Sequence, residues 1–470
     1  MSNPILQSNQ SSAVVATVNE SQTMSPWVYN ETNRLVVPHA MQVLPINHSS
    51  GTVGASKTIS FDIAKNGLVQ GLWLKVSLQT STDAGLTAAS QNENPTLNES
   101  DAGGVTDAGG TSAPGSANTE GFTAMGLLQT LQEVRLTTSG RIVESLDKYQ
   151  ILARIADLPY GQREAVLKAY KCNGDVELGA AGETYDACLW LPFYFSKDPS
   201  RYHINSNFQE PFQVQVSFSD CTKVLYDANA ADTPSTTNGG YATHAPQDAD
   251  LLVHYRQLDE KSINEVISKN YGDGLLSQIV HISKKEAIRS TTVTGEAGLT
   301  AATSRNAKAK TIEFEMKEND AIQSMYVMVE AERPTATDFQ KVILNNTPVE
   351  ILEFDLKFNN TSVMKVPGEF VRYFGRWGQH GMCGDGADGP DNLTPTRHVY
   401  KIDFGLDYAK GAFSNVVALR EISNPKLIIK FRPHVETSGT LTYNVHVVYD
   451  TATFLSTSSA TGRVNLSISS

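Results

Sequence analysis

Cysteine, long apolar runs and a leading signal are scarce or missing in this chain of 470 residues. The four cysteines are widely spaced and form no C-x-x-C pair, so we predict reduced thiols and neither a zinc site nor a disulfide framework. They are Cys172, Cys188, Cys221 and Cys383. No run of about twenty apolar residues is present, and the first residues lack the basic and apolar regions of a secretory signal. We therefore expect a protein made in a cytoplasm and not inserted in a membrane.

Motifs of catalysis are also missing. The sequence has no P-loop, no G-x-G-x-x-G after a strand, no H-E-x-x-H and no G-x-S-x-G. We assign no catalytic residue, expect no cofactor and predict that the chain is not an enzyme. Its formal net charge of −12 repels phosphate, which argues against sequence-specific binding of nucleic acid.

One acidic segment is a weak candidate for a structural ion. Residues 375–395 are rich in glycine and aspartate, and their Asp385, Asp388 and Asp391 are close enough in sequence to surround a cation. Clusters of this composition are far more often turns, so we predict no metal site there.

What the chain does contain is an internal repeat. Residues 57–78 resemble residues 310–329, and the two align without a gap from Lys57 with Lys310 to Val76 with Val329. Each copy predicts two strands joined by a tight turn, as in a β-hairpin. The aligned pairs include Ile59 with Ile312, Phe61 with Phe314, Asn66 with Asn319, Gln70 with Gln323 and Trp73 with Tyr326. An alignment of this length indicates that a larger unit is duplicated.

Four further elements repeat in the same order. They are residues 131–142 with 351–362, 187–195 with 399–406, 211–218 with 424–431 and 250–258 with 442–450. The last alignment makes His254 and His446 equivalent, which we attribute to the repeated fold rather than to a shared site. The repeat predicts two β-domains in tandem. We divide the chain into a flexible arm (1–25), a first domain (26–258), a linker helix (259–274) and a second domain (275–470).

Several segments within the domains carry their own expectations. Apolar residues at helical spacing predict a helix over residues 146–156 and a second short one over 163–170, packed on one side of the first sandwich. The strand 187–195 is apolar on both faces, which predicts burial by a neighbouring domain or subunit. Residues 79–121 are mostly small and polar, so they form either a flexible insertion or an exposed, partner-facing crown. Alternation with apolar residues places four acids on solvated strand faces: Glu313, Glu315, Glu353 and Asp355.

The order of these elements resembles the double jelly-roll major capsid proteins of tailless icosahedral double-stranded DNA viruses, which include adenovirus, membrane-containing bacteriophages and the large nucleocytoplasmic viruses. The motifs that carry the resemblance are FDIAKNGLVQGLWLKVSL, LQEVRLTTSGRIVE running into a helix, LWLPFYFSKDP and DLLVHYRQLDE. The resemblance implies an all-β chain of two tandem eight-stranded jelly-roll β-sandwiches with short accessory helices and long loops.

The same resemblance implies a structural role. The chain would form homotrimeric, pseudo-hexagonal capsomers that tile the facets of an icosahedral virion. Its expected partners are its own copies, neighbouring capsomers, penton and minor capsid proteins, and an internal membrane contacted by the arm of residues 1–25. Two alternatives stay open: a carbohydrate-binding tandem jelly-roll protein, secreted or attached to the virion, and a minor vertex or spike protein of the same kind of virus.

Overall fold

A computed structural model describes most of the chain after the arm. The described residues are 39–64, 67–79, 95–97, 105–107, 119–138, 140–172, 184–196, 203–204, 212–228, 240–242, 244–258, 275–295, 308–318, 320–332, 348–372, 395–396, 398–404, 417–433, 440–458 and 464–467. The predicted arm, the linker helix and nearly all of the Gly/Asp-rich segment 375–395 lie outside these ranges, so the predicted domain boundaries stay predictions.

The first half of the chain forms a β-sandwich. Its strands are β1 (His39–Asn47), β2 (Ser50–Gly51), β3 (Thr58–Ile63), β4 (Leu68–Gln79), β5 (Pro95–Leu97), β6 (Val105–Asp107), β7 (Thr119–Phe122), β8 (Leu131–Thr138), β9 (Arg141–Leu146), β10 (Thr184–Leu191), β11 (His203–Ile204), β12 (Phe212–Phe218), β13 (Leu225–Ala228), β14 (Gly240–Ala242) and β15 (Pro246–Leu258). One sheet has the order β1-β15-β4-β10, with β11 beside β4. The other has the order β2-β3-β12-β8-β9.

The second half repeats this arrangement. Its strands are β16 (Leu275–Lys285), β17 (Arg289–Thr294), β18 (Lys310–Glu315), β19 (Ala321–Glu332), β20 (Ile351–Phe358), β21 (Thr361–Pro367), β22 (Tyr400–Asp403), β23 (Val417–Ala418), β24 (Lys426–Phe431), β25 (Thr440–Ser458) and β26 (Val464–Ser467). One sheet has the order β16-β25-β19-β22, with β17, β23 and β26 paired at its margins, and the other has the order β18-β24-β20-β21. Apart from the two-residue β2, each facing sheet has four strands in its main order among the described residues, which gives each half the eight strands of a jelly roll, as predicted.

Alternating side chains from the two sheets of each sandwich form its core. In the first sandwich the buried residues include Phe61, Leu74, Val134, Val214 and Val253. In the second they include Phe314, Val327, Phe354, Ile429 and Tyr443. The period-two pattern of the sequence therefore selects the inward faces of the strands.

The predicted hairpins are wrong in their pairing. β3 and β4 are consecutive in the chain but lie in different sheets, since β3 pairs with β12 whereas β4 pairs with β15 and β10. β18 and β19 likewise lie in different sheets, since β18 pairs with β24 whereas β19 pairs with β25. Gly67 lies where the chain passes from one sheet to the other, just before β4. Its φ is +132°, and a Cβ atom there would lie 2.7 Å from the carbonyl oxygen of Arg256. The local pattern specifies two strands and a turn but not which strand each one pairs with.

The repeat holds residue by residue along the ladders. Trp73 lies opposite Leu252 in the first sandwich, and Tyr326 lies opposite Val448 in the second. Both ladders then skip one residue, Gln70 in β4 and Gln323 in β19, so the two β-bulges coincide.

These ladders correct the predicted equivalence of two histidines. Because Leu252 corresponds to Val448, His254 corresponds to Asp450, and His446 corresponds to Asp250. The predicted alignment of the last strands is therefore wrong, although those of β3, β8 and β12 with β18, β20 and β24 hold in register.

The two predicted helices are confirmed as α1 (Lys148–Ala156) and α2 (Tyr160–Ala169). Short 3₁₀ helices span Gly126–Thr130 and Leu419–Glu421. α1 does more than cover one sandwich, because it contacts β8 and β9 of the first sandwich and β16 and β25 of the second. Among the described residues no helix is long and apolar enough to cross a membrane.

Two predictions about exposure need correction. The strand of residues 187–195 ends at Leu191 and is not buried on both faces, because Cys188 is exposed. Trp190 and Tyr194 are nevertheless buried within this chain. Of the acids predicted on solvated faces, Asp355 is buried and lies 3.6 Å from the Lys357 ammonium.

Candidate functional site

A group of buried polar and charged side chains, which includes Glu144, Arg154, Glu330 and Asp450, lies where the two sandwiches meet. The outward side chains of β19 and β25, which would face solvent in an isolated sandwich, are buried: Tyr326, Met328 and Val448 belong to the same apolar cluster as Ile151 and Leu152 of α1. The second sandwich therefore presents the outer face of its β16-β25-β19-β22 sheet to the helix of the first. We call this contact the junction.

The sequence fixes the start of α1 at Asp147. Its carboxylate accepts hydrogen bonds from the backbone N–H groups of Tyr149 (2.9 Å) and Gln150 (2.8 Å), while Oε1 of Gln150 accepts one from the backbone N–H of Asp147 (3.0 Å). This capping box closes the first turn and directs the helix across the second sheet.

Arg154, in the last turn of α1, occupies the centre of the junction. Its Nη2 lies 3.2 Å from Oε1 of Glu144, 3.3 Å from Oδ1 of Asp450 and 2.9 Å from the carbonyl oxygen of His281. Glu144 belongs to the first sandwich and the other two groups to the second. One buried guanidinium thus joins carboxylates from both halves of the chain.

Glu144 accepts further hydrogen bonds from the backbone. The N–H of Tyr194 donates to its Oε2 (2.7 Å), and the N–H of Ser283 in β16 donates to its Oε1 (2.9 Å). Burial raises the pKa of this carboxyl to about 7, against the opposing effect of the Arg154 charge and of the two backbone donors.

A second cluster contains Tyr149, Glu330 and His446. The rings of Tyr149 and His446 stack with centroids 3.7 Å apart, Nε2 of His446 lies 2.8 Å from Glu330, and the Tyr149 hydroxyl donates to the same carboxylate. Burial lowers the pKa of His446, which favours the neutral imidazole despite the nearby Glu330. Burial alone would raise the pKa of Glu330, but its bond to His446 and the charge of Lys148 hold it below the ordinary value.

Lys401 is the centre of a third cluster. Its Nζ lies 2.8 Å from Asp157, just after α1, and 3.2 Å from Asp403 on its own strand. All three side chains are buried, and the ammonium also lies 5.6 Å from the centroid of the Tyr326 ring. Burial acts to lower the pKa of Lys401, but the two carboxylates outweigh it and the pKa is raised.

The margin of the junction is polar as well. Nε2 of Gln150 donates to the carbonyl oxygen (3.1 Å) and the hydroxyl (3.2 Å) of Ser283. Lys285 forms an ion pair with Asp147 and lies 4.7 Å from the Tyr149 ring centroid. Every turn of α1 is thus attached to the second sandwich, and the arrangement holds the two sandwiches in one relative orientation.

Comparison with known proteins gives structural matches alone. No protein-family model matches the chain, and no curated protein matches it in sequence. The PBCV-1 protein VP54, fitted into a reconstruction of the virophage Sputnik, is similar at a TM-score of 0.61 and 12% identity, over 94% of this chain and 98% of that one. The Faustovirus major capsid protein is similar at a TM-score of 0.56 and 10% identity, over 97% of this chain and 98% of that one. The mavirus major capsid protein is similar at a TM-score of 0.55 and 12% identity, over 94% of each chain.

The chain has the double jelly-roll fold of these capsid proteins. The similarity extends over both sandwiches, because more than nine-tenths of each chain is covered. Within this double jelly roll, the junction is the contact that makes one body of two similar domains.

The junction residues were not identified from the sequence. A signal was present, since β19 (AIQSMYVMVEAE) is nearly continuous in apolar residues, as expected of a strand buried on both faces. Its one acid before the final residue, Glu330, is buried for that reason. Arg154 and Lys401 carry no comparable signal, because a lone cation in a helix or strand resembles a surface residue.

The double jelly roll offers no candidate metal site among the described residues, where no group of three or more His, Cys, Asp or Glu side chains is placed to hold an ion. Asp385, Asp388 and Asp391 lie outside the described ranges. Cys172, Cys188 and Cys221 are free thiols, and Cys383 also lies outside those ranges.

Proposed function

We propose that this chain is the structural major capsid protein of an icosahedral virion and forms homotrimeric capsomers. One observation carries the proposal: the whole chain, and not one domain of it, has the double jelly-roll fold of the PBCV-1, Faustovirus and mavirus proteins. Two similar lobes in a rigid chain give six lobes in a trimer. A block with six similar lobes tiles a flat facet with hexagonal symmetry.

The junction supports this role. A capsomer must keep its outline when neighbours press against it, and a hinge between the sandwiches would change that outline. Ion pairs, hydrogen bonds and apolar packing all cross the junction, so the two lobes move as one. Jelly rolls also leave few free strand edges, which limits unwanted association in a protein present in many copies.

The proposed partners follow from the same role. They are two further copies in the trimer, neighbouring capsomers, penton and minor capsid proteins, and an internal membrane contacted by the arm of residues 1–25. The protein is located in the virion after synthesis in the host cytoplasm. It acts as a structural component and not as an enzyme, and its net charge of −12 disfavours a role in packing nucleic acid.

Sedimentation and electron microscopy of the purified chain test the proposal. We expect the mass of a trimer at micromolar concentration and hexagonal blocks in images. The copy number in purified virions separates a facet protein, which is abundant, from a vertex or spike protein, which is present in far fewer copies. A monomer that never enters particles would overturn the capsid role.

A further inference from the structure

Lys148 and Gln129 form a hydrogen bond within the first sandwich. Lys148 is the first residue of α1, and Gln129 lies in the 3₁₀ helix Gly126–Thr130 that precedes β8. Nζ of Lys148 donates to Oε1 of Gln129 at 2.9 Å, so a primary amine and a carboxamide are held in contact. These are the two groups that an amide bond between side chains requires.

The surroundings of Lys148 favour its neutral amine. Burial lowers the pKa of Lys148, and the charges of Lys223 and Lys285 lower it further. The charges of Glu330 and Asp147 act in the opposite direction and do not reverse the shift. Lys148 also begins α1, where the positive end of the helix dipole disfavours a cation. A neutral amine has a free lone pair, so Lys148 can act as a nucleophile.

Gln129 is fixed in place but incompletely bonded. The residue is 5% exposed, and its Nε2 has no hydrogen-bond partner among the described residues. A buried amino group without a partner costs free energy, which is recovered if that group leaves. The hydroxyl of Ser219 donates to the backbone carbonyl oxygen of Gln129 and holds its main chain. The carboxamide therefore has a fixed position next to the amine and an amino group that nothing retains.

The amine is within reach of the carbon that it would attack. A C=O bond is about 1.2 Å long, so Cδ of Gln129 lies no more than about 4 Å from Nζ of Lys148. Reacting atoms in a productive geometry are about 3 to 3.5 Å apart, and a small rotation of the glutamine side chain closes the difference. Two groups held in this way react as if each were far more concentrated than solution allows.

We propose that the side chains of Lys148 and Gln129 become joined by an isopeptide bond. The lone pair of Nζ attacks Cδ, the bond from Cδ to Nε2 breaks, and Nε2 leaves as ammonia with the proton that Nζ gives up. One amide is exchanged for another, so the step consumes no oxidant, reductant or added reagent. The inference goes beyond the proposed function and does not rest on it.

Glu330 is the group that we assign to carrying the proton from Nζ to Nε2. Of the charges that act on Lys148, that of Glu330 has the largest effect, and contacts with Tyr149 and His446 fix its position. Glu330 belongs to β19 of the second sandwich, whereas both reacting groups belong to the first. The bond therefore forms only after the two sandwiches have met at the junction.

The proposed bond closes a loop of the chain that contains β8 and β9. It joins residues 19 apart in sequence and fixes the first residue of α1, the helix on which the junction depends. Like a disulfide, it restricts the unfolded chain and so stabilises the folded one, but reduction does not break it. Cys172, Cys188 and Cys221 are free thiols, so the bond provides a covalent link that these cysteines do not.

Mass spectrometry of the folded, full-length chain tests the proposal. We expect an intact mass lower than that of the sequence by one ammonia. Trypsin does not cleave after an acylated lysine, so residues 142–154 should be recovered joined to residues 76–135. Recovery of residues 142–148 as a separate fragment, with no branched fragment from the chain or from assembled particles, would overturn the proposal.

Substitutions separate this reaction from other losses of ammonia. Lys148→Arg keeps a cation but cannot form the bond, so it should have the full mass and a thermal midpoint lower by several degrees. Lys75→Arg is the matched control, since Lys75 pairs with Asp186 in the same sandwich and its replacement should leave the bond intact. Succinimide formation at an Asn-Gly pair also releases ammonia, but it would persist in Lys148→Arg and give no branched fragment.

Refolding shows whether the bond depends on the junction. A chain collected unfolded in urea from inclusion bodies should lack the bond and acquire it on refolding, and a chain kept in urea should never acquire it. In refolded Glu330→Gln we expect the bond to form on the order of a hundredfold more slowly. Formation at the wild-type rate, or in urea, would contradict the role of Glu330 and of the junction. A chain that carries the bond but forms no trimers would support this inference and contradict the proposed function.

Discussion

Lys401 of the second sandwich and Asp157 of the first form an ion pair of 2.8 Å with both side chains buried. Asp403 lies 3.2 Å from the same ammonium, so one cation neutralises two carboxylates that belong to different sandwiches. Buried charges are costly to desolvate and are tolerated only when each has partners. The relative position of the two lobes is therefore specified by charge as well as by packing.

Removal of the Lys401 cation should destabilise the chain strongly. Lys401→Met keeps most of the apolar stem but removes the ammonium that Asp157 and Asp403 share in the buried junction. Loss of one partner of a buried pair costs about 3 to 5 kcal/mol. The matched control is Lys426→Met, because Lys426 pairs with Glu313 at 2.8 Å on an exposed strand face, where solvent screens the pair, and its loss should change the free energy of unfolding little. Urea denaturation measures both, and equal effects would contradict the importance assigned to the junction.

Glu144 should make stability depend on pH. Its pKa is raised from 4.5 in the unfolded chain to about 7 in the folded one, so the folded state holds the proton more tightly. Its contribution is complete below pH 4.5 and is lost as the pH rises to about 7. Relative to Glu144→Gln, the wild type should lose on the order of 3 kcal/mol over that interval.

A second carboxyl provides the control for this pH experiment. Burial would raise the pKa of Glu133, but hydrogen bonds from Arg135 and Ser145 and the Arg135 charge lower it overall. Because its folded pKa is depressed, its contribution is present above pH 4.5 and is lost as the pH falls further. Relative to Glu133→Gln, the free energy of unfolding of the wild type should therefore fall as the pH is lowered below 4.5, whereas relative to Glu144→Gln it should fall as the pH is raised. A wild-type profile parallel to that of Glu144→Gln between pH 4.5 and 7 would contradict the raised pKa.

The sequence predicts the strands well because burial on one face produces a period of two. β3, β8 and β12 each alternate, and each was matched with its repeat in the correct register. The last strand was misaligned by its histidine. β25 is buried on both faces from Val445 to Thr453, so it lacks the period of two that β15 keeps, and the predicted alignment pairs His254 with His446 where the ladders pair Asp250 with His446.

Partners across the sandwiches were beyond prediction for a different reason. The charge on Arg154 is compensated by Glu144, ten residues away, and by Asp450, nearly three hundred residues away. No local pattern connects a helix with a strand at such a distance. Met41 and Val43 of β1 show the converse, since they alternate along the strand as core residues do and yet are 61% and 56% exposed.

The long polar segment between β4 and β7 should tolerate replacement. Within it the described residues form one short pair of strands, β5 and β6, whereas Thr119–Phe122 pairs with β13 and belongs to a small separate sheet. The dispensable part is therefore residues 82–118, which end before β7 begins at Thr119. A Gly/Ser linker of a few residues should leave the thermal midpoint within a few degrees, because each doubling of loop length costs only about 0.6 kcal/mol. Loss of trimers would show that this segment clasps a neighbouring subunit.

Deletion of the arm should separate folding from assembly. Residues 1–25 are rich in Ser, Asn and Gln, a composition that cannot bury enough apolar surface to fold by itself. The described sheet does not need them, because β1 is paired with β15 along its whole length from His39 to Asn47. We expect the truncated chain to form soluble trimers with an unchanged thermal midpoint but to yield few closed particles. A chain with residues 1–25 scrambled keeps the length of the arm but moves apolar residues such as Ile5 and Val14. If these residues are specific anchors, scrambling should reduce the particle yield as deletion does; if only length matters, the yield should stay unchanged. A truncated chain that failed to fold would place the arm in the core, and one that assembled normally would remove its proposed role.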